Sequence, residues 1–180
     1  MLKSFMEYLL EKAEYRADDG ESEVVHHSSD TDFSSFHPLS HFGSPAAARA
    51  RAVSSKNASA EEPKHLYSAR LKLGRTVSIS DDGEDHKPAS ILHSLHKAGH
   101  ISAHHYLGYD DKMRAASDEE GRKKILLDIL KKRKIDTIRY KNDVEDAGST
   151  SYIITHPKQV RLLRKSNSPV NVKRGQAKLR

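Results

Sequence analysis

The 180-residue sequence contains no cysteine and no tryptophan. Without cysteine there is no disulfide, no thiolate–metal site and no thiol nucleophile, a composition that fits a reducing cytoplasm. No apolar run approaches the ~20 residues that cross a bilayer, and no signal segment opens the chain, so we expect a protein made without export and without a membrane partner. A glycine-rich phosphate loop, an HExxH motif and a Ser-His-Asp arrangement are all missing. No internal repeat is visible. With 36% hydrophobic and 31% charged residues, the chain suits one ordinary-sized domain with a modest core and disordered margins.

Acidic residues are missing from residues 157–180, where Lys158, Arg161, Arg164, Lys165, Lys173, Arg174, Lys178 and Arg180 lie. The whole chain carries a net charge of +6, much of it in this tail. Two readings stay open for it: contact with an anionic partner, nucleic acid included, through 158–180, or a solubilising flexible end.

At the other end, Leu2, Phe5, Met6, Leu9, Leu10 and Ala13 recur at helical spacing, which predicts an amphipathic helix over Met1 to about Ala17. The polar stretch Asp18-Asp19-Gly20-Glu21-Ser22 reads as a linker. Such a helix docks on its own domain or on a partner. Its opening, MLKSFMEYLLEKAE, resembles the short leader helices of virion proteins of large tailed phages, which implies a capsid or virion partner for residues 1–17.

Between these ends the pattern is mixed. Glu23 to His26 suggests a short strand, and a turn-rich segment runs on to Pro38. SPAAARARAV predicts a helix with Ser44 at the N-cap and Pro45 in its first turn. Residues Ser54 to Lys64 are a polar loop. HLYSARLKLGRTVSIS alternates as a strand pair turning at Gly74 and closed by Asp81-Asp82-Gly83. Three helices follow: Pro88 to Lys97, ended by Gly99; Ala103 to Ala116; and one capped by Ser117 with Glu120, running to about Lys134. DTIRYKN, SYIITH and Val160–Leu163 are closing strands. The order predicts an α+β fold. His96, His100, His104 and His105 include pairs at i, i+4, but Gly99 interrupts them and no carboxylate or cysteine completes a ligand set, so no metal is expected. Tyr140 and Tyr152 read as sheet-packing residues.

Three blocks carry a resemblance. His27-Ser28-Ser29 followed by Phe33 and Phe36, then PLSHFGSPAAARARA, then IDTIRYKNDVEDAGSTSYIITHPKQVRLL, resemble in order and spacing the ADP-ribosyltransferase superfamily. The likeness is to its phage and bacterial His-Gly-Thr type and, more distantly, to diphtheria toxin and poly(ADP-ribose) polymerase catalytic domains. It spans residues 24–163 and implies an ADP-ribosyltransferase-like domain over 22–163, with a split mixed or antiparallel sheet and flanking helices. An N-terminal helix and linker (1–21) would precede it, and a basic tail (164–180) would follow.

By that resemblance the domain binds NAD as substrate. His27 holds a ribose hydroxyl, the Ser28 backbone holds the nicotinamide amide, Ser29 joins the cofactor-binding set, and Phe42 or Tyr67 packs on the ring. Ser28 stands where relatives have glycine, which narrows that pocket. Where the polymerases place a glutamate before the closing tyrosine, this chain has Ser151. Glu145 matches the glutamate of the phage-type pattern, in a loop able to swing into the cleft, with Asp143 and Asp146 as nearby substitutes. The implied activity is mono-ADP-ribosyl transfer to a protein acceptor in a host cytoplasm, by a protein that a virion can also package. A non-catalytic virion component docking by residues 1–17 is the alternative, and a nucleic-acid-binding module a further one.

Overall fold

The computed structural model describes residues 18–54, 64–81, 86–143 and 145–166. The amphipathic segment 1–17, most of the polar loop at 54–64 and the tail beyond 166 lie outside the described residues.

The architecture is α+β, with two sheets. The first is organised by β4 (His65–Gly74), whose Tyr67, Ala69, Leu71 and Leu73 are buried in alternation, as a strand with one face on a core requires. Strands β1 (Asp18–Glu21) and β2 (Val25–Ser29) pair antiparallel with successive stretches of β4. Strand β8 (Val160–Ser166) takes the opposite edge. The expected linker at 18–22 is therefore largely a strand. Buried Ser22 explains why: its backbone N–H donates to the Leu71 carbonyl at 2.9 Å, and its Oγ accepts from the Leu71 N–H at 2.9 Å.

The second sheet has the order β3–β7–β6–β5, formed by β3 (His41–Phe42), β7 (Thr150–Ile154), β6 (Thr137–Lys141) and β5 (Thr76–Ile79). The strand pair expected across Gly74 does not form. Strand β5 leaves for this second sheet and pairs parallel with β6, from Thr76 opposite Thr137 to Ile79 opposite Tyr140. The cause lies at the corner, where Gly74 adopts φ +55, a conformation that glycine enters without steric cost. The Arg75 N–H then donates to Asp136 Oδ2, and the Asp136 N–H to the Arg75 carbonyl, each at 2.9 Å. The turn is thus fastened to the segment before β6, not back onto β4.

Helix α1 (Pro45–Ser54) follows β3; α2 (Pro88–Lys97), α3 (Ala103–Ala115) and α4 (Glu119–Lys132) lie between β5 and β6. One core joins the helices to the second sheet: Ile91, Leu92, Leu95, Leu126 and Leu130 pack with Val77, Ile138 and Ile153. The other joins the two sheets, with Val25, Phe36, Phe42, Tyr67, Leu71 and Ile154. The histidines near α2 and α3 serve this frame. His96 Nδ1 donates to the Ile101 carbonyl and His100 Nε2 to the Ser78 carbonyl, both at 2.8 Å. No group among the described residues is arranged to hold a metal ion, and no helix there is long and apolar enough to cross a membrane.

The cap of α4 is Asp118, not Ser117: its carboxylate accepts from the Gly121 N–H at 2.7 Å, because the helix begins at Glu119. Asp118→Ala should therefore cost about 1 kcal/mol in urea unfolding, the usual loss for a side-chain cap. Ser117→Ala should stay within about 0.5 kcal/mol. The opposite ranking would contradict this cap.

Candidate functional site

Strands β2 and β3 approach one another where His26 and Gly43 exchange backbone hydrogen bonds of 2.7 and 3.0 Å. Beside this junction lies a cavity of about 140 Å³, walled by His27 and Ser28 of β2, His41, Phe42 and Gly43, Ala47, Ala48 and Arg51 of α1, and Tyr140, Asn142, Glu145 and Ser151. All three sequence blocks contribute.

The close approach depends on small residues. A Cβ at Gly43 would come within 2.3 Å of Ser151 Oγ and 3.3 Å of the Ala47 Cβ. Ala47 and Ala48, both buried, let the first turns of α1 rest against this wall. Ser44 caps the helix, accepting from the Ala47 N–H at 3.1 Å, and its hydroxyl donates to Asp146 Oδ2. The predicted N-cap is thus present and also ties the helix to the loop that carries Glu145.

His27 is ringed by Phe33, Phe36, Phe42 and Tyr67, at centroid distances of 5.5 to 6.4 Å. Its Nδ1 donates to the His41 carbonyl at 2.8 Å, so the lone pair is on Nε2. Desolvation holds its pKa below the usual histidine value, against the opposing effect of that hydrogen bond. His41 is held well below it, by desolvation first and then by Arg51, His86 and His27. Both rings are therefore neutral at pH 7.

Tyr140 does more than pack. Its hydroxyl accepts from Arg51 Nη2 at 3.2 Å and meets His41 Nδ1 at 3.1 Å. Burial pushes its pKa up to about 12, so the phenol stays protonated and donates to His41. Arg51 Nη2 also lies 2.8 Å from Glu145 Oε1 and 2.8 Å from His86 Nδ1. His86 in turn faces buried Asp81 at 3.5 Å.

Three buried polar atoms of the wall have no hydrogen-bond partner: Ser28 Oγ, Asn142 Oδ1 and Glu145 Oε2. Buried polar groups are almost always satisfied, so these three atoms leave hydrogen-bonding capacity in the cavity for water or a polar ligand. The remainder of Asn142 is committed, its amide nitrogen donating to Ser149 Oγ and Ser151 Oγ at 2.7 and 2.8 Å.

Of the residues singled out from sequence, the structure brings His27, Ser28, Phe42 and Glu145 to the cavity. Ser29 is not among its walls, and its hydroxyl pairs with Thr31. Nor does Tyr67 line it. That ring stacks on Phe33 at 4.4 Å, and its hydroxyl donates to Asp32 and accepts from the Phe33 N–H, both at 3.3 Å. His41, Arg51 and Asn142 were not singled out. For Arg51 a signal existed, since it follows Ala47 and Ala48 at i+4 and i+3 and so shares their face. No family model, curated protein or solved structure matches the chain.

The contact at Gly43 predicts a coupling. Gly43→Ala should destabilise the protein by more than about 1 kcal/mol by overpacking, and much less in a Ser151→Ala background, as a double-mutant cycle would read. Equal costs in both backgrounds would place the clash elsewhere. The depressed histidines predict a pH effect. Below about pH 6.5 the unfolded chain takes up protons that folded His27 and His41 refuse, so stability falls as pH drops from 6.5 toward their folded values. His41→Gln should flatten that slope in melting curves between pH 7 and 5; an unchanged slope would contradict the assignment.

Proposed function

We propose that the cavity receives the nicotinamide end of NAD and that the chain is a mono-ADP-ribosyltransferase-like protein acting on a protein acceptor. The observation that carries this reading is convergence: blocks that resemble one superfamily, at His27-Ser28, His41-Phe42-Gly43 and Tyr140 to Ser151, line one cavity with three unsatisfied polar atoms. A space of about 140 Å³ matches a single aromatic ring, since cavities on the order of 150 Å³ hold benzene. The rest of the dinucleotide then lies outside it. A carboxamide presents N–H donors and one acceptor, which suits Asn142 Oδ1 and Ser28 Oγ and leaves Glu145 Oε2 for the sugar.

In the proposed reaction the bond from the ribose C1′ to the nicotinamide nitrogen breaks, and its electron pair leaves with nicotinamide. Glu145 stabilises the positive charge that develops on the sugar. Neutral His27, with its lone pair on Nε2, accepts from a ribose hydroxyl. The acceptor nucleophile then bonds to C1′ and releases its proton, to Glu145 or to solvent.

Two observations favour a non-catalytic scaffold instead: Arg51 pairs with Glu145 at 2.8 Å, and Ser151 stands at the other carboxylate position. The nucleic-acid reading gains less. Within the described part of 158–180, Arg161 already pairs with Glu21 at 2.6 Å and Lys165 with Asp32.

Purified protein incubated with labelled NAD and bacterial lysate decides between these readings. We expect label to be transferred to protein, with His27→Ala and Glu145→Ala each reducing transfer on the order of a hundred-fold or more. No NAD cleavage together with no NAD-induced rise in Tm would sink the enzyme reading and leave a scaffold.

A further inference from the structure

Glu145 sits in the segment that links β6 to β7, where a swinging side chain would be expected, yet it is fastened from several sides. The Asp143 N–H donates to Asp81 Oδ2 at 3.0 Å. The Asp146 carboxylate takes the Ser44 hydroxyl. The Gly148 N–H donates to the Asn142 carbonyl at 2.8 Å, closing the base of the loop. Arg51 fastens the glutamate itself.

The arginine is in turn held. It lies on the α1 face that carries Ala47 and Ala48, so its guanidinium is carried along the cavity wall. Nη2 has two protons and three acceptors around it: Glu145 Oε1 and His86 Nδ1 at 2.8 Å, and the Tyr140 hydroxyl at 3.2 Å. His86 accepts through Nδ1, so Nε2 bears its proton and faces Asp81 Oδ1 at 3.5 Å. Asp81 thus anchors both His86 and the start of the glutamate's own loop. Asp81, His86, Arg51 and Glu145 are linked contact by contact, and Asp143, two residues before Glu145 in the chain, returns to Asp81. Glu145 spends Oε1 on Arg51 and keeps Oε2 buried and unpartnered.

We propose that Arg51 is a positioning residue: it locks one carboxylate oxygen of Glu145 so that the other is presented to the cavity. This rests on the NAD reading for its catalytic meaning, but the locking is a property of the protein alone. An ion pair of this kind removes rotamer freedom that the carboxylate would otherwise have to lose in the transition state. Arginine suits the task because its planar guanidinium fixes the directions in which the Nη2 protons point, whereas a lysine ammonium rotates freely.

The test compares wild type with Arg51→Lys and Arg51→Met, and with Arg49→Met as a control on another face of α1, after thermal melts confirm folding. Without any ligand, the three-bond Hα–Hβ couplings of Glu145 report its rotamers. We expect one rotamer in wild type and in Arg49→Met, averaged couplings in Arg51→Met, and an intermediate result for Arg51→Lys. With NAD, Arg51→Met should lower kcat on the order of a hundred-fold, the loss typical of a misplaced catalytic group, with KM changed less than about three-fold. Arg51→Lys should recover part of it. Averaged couplings in wild type, or a single rotamer kept in Arg51→Met, would overturn the proposal. So would a rise in KM at unchanged kcat, which would make Arg51 a substrate ligand. If wild type cleaves no NAD, the enzyme reading fails by itself, and the couplings still decide whether Arg51 positions Glu145.

Discussion

The reciprocal hydrogen bonds between His26 and Gly43 are the constraint on which the rest of the site depends. They bring the first sheet, through β2, against the start of α1 and the edge of the second sheet. Everything that lines the cavity is placed relative to that junction: His27 and Ser28 on one side, Phe42, Ala47 and Arg51 on the other, and Ser151 close enough to forbid a side chain at Gly43. Buried Phe42 fills the space behind it and belongs to the core between the sheets. The junction is therefore held by packing as well as by two hydrogen bonds, and the cavity inherits that rigidity.

The electrostatics follow from the same geometry. Desolvation keeps His27 and His41 neutral and Tyr140 protonated at pH 7. Hydrogen-bond directions around the cavity are consequently fixed: His27 gives its proton to the His41 carbonyl, and Tyr140 accepts from Arg51 while donating to His41. The charged groups that remain, Arg51 and Glu145, neutralise one another at 2.8 Å. A site with settled tautomers and one held carboxylate is preorganised, which is what electrostatic stabilisation of developing charge requires.

Much of this was legible in the sequence, for reasons specific to each element. The helices at Pro88 and Ala103 showed because their punctuation is strong, with Pro88 opening one and Gly99 closing it at φ +80. Strand β4 showed because its apolar residues alternate. The strand at Asp18–Glu21 did not, since its four residues are acidic or glycine and its order comes from β4 and from Ser22 capping Leu71. The turn at Gly74 was seen but its destination was not, because pairing with Asp136 is a contact across distant sequence. The resemblance of short blocks points to His27, Ser28, Phe42 and Glu145, and these four line the cavity. Arg51 was passed over inside an alanine-rich helix, where an arginine reads as solvated until its neighbours are known.

We propose that this cavity is built for a flat amide-bearing ring. Titrating isotopically labelled protein with nicotinamide and following backbone amide shifts tests it most directly. We expect saturable shifts concentrated at Ser28, Gly43, Ala47, Ala48, Asn142 and Ser151, absent when benzoate replaces nicotinamide because its carboxylate has no N–H to give the Asn142 Oδ1 acceptor. Shifts centred elsewhere, or none at millimolar nicotinamide, would contradict the claim.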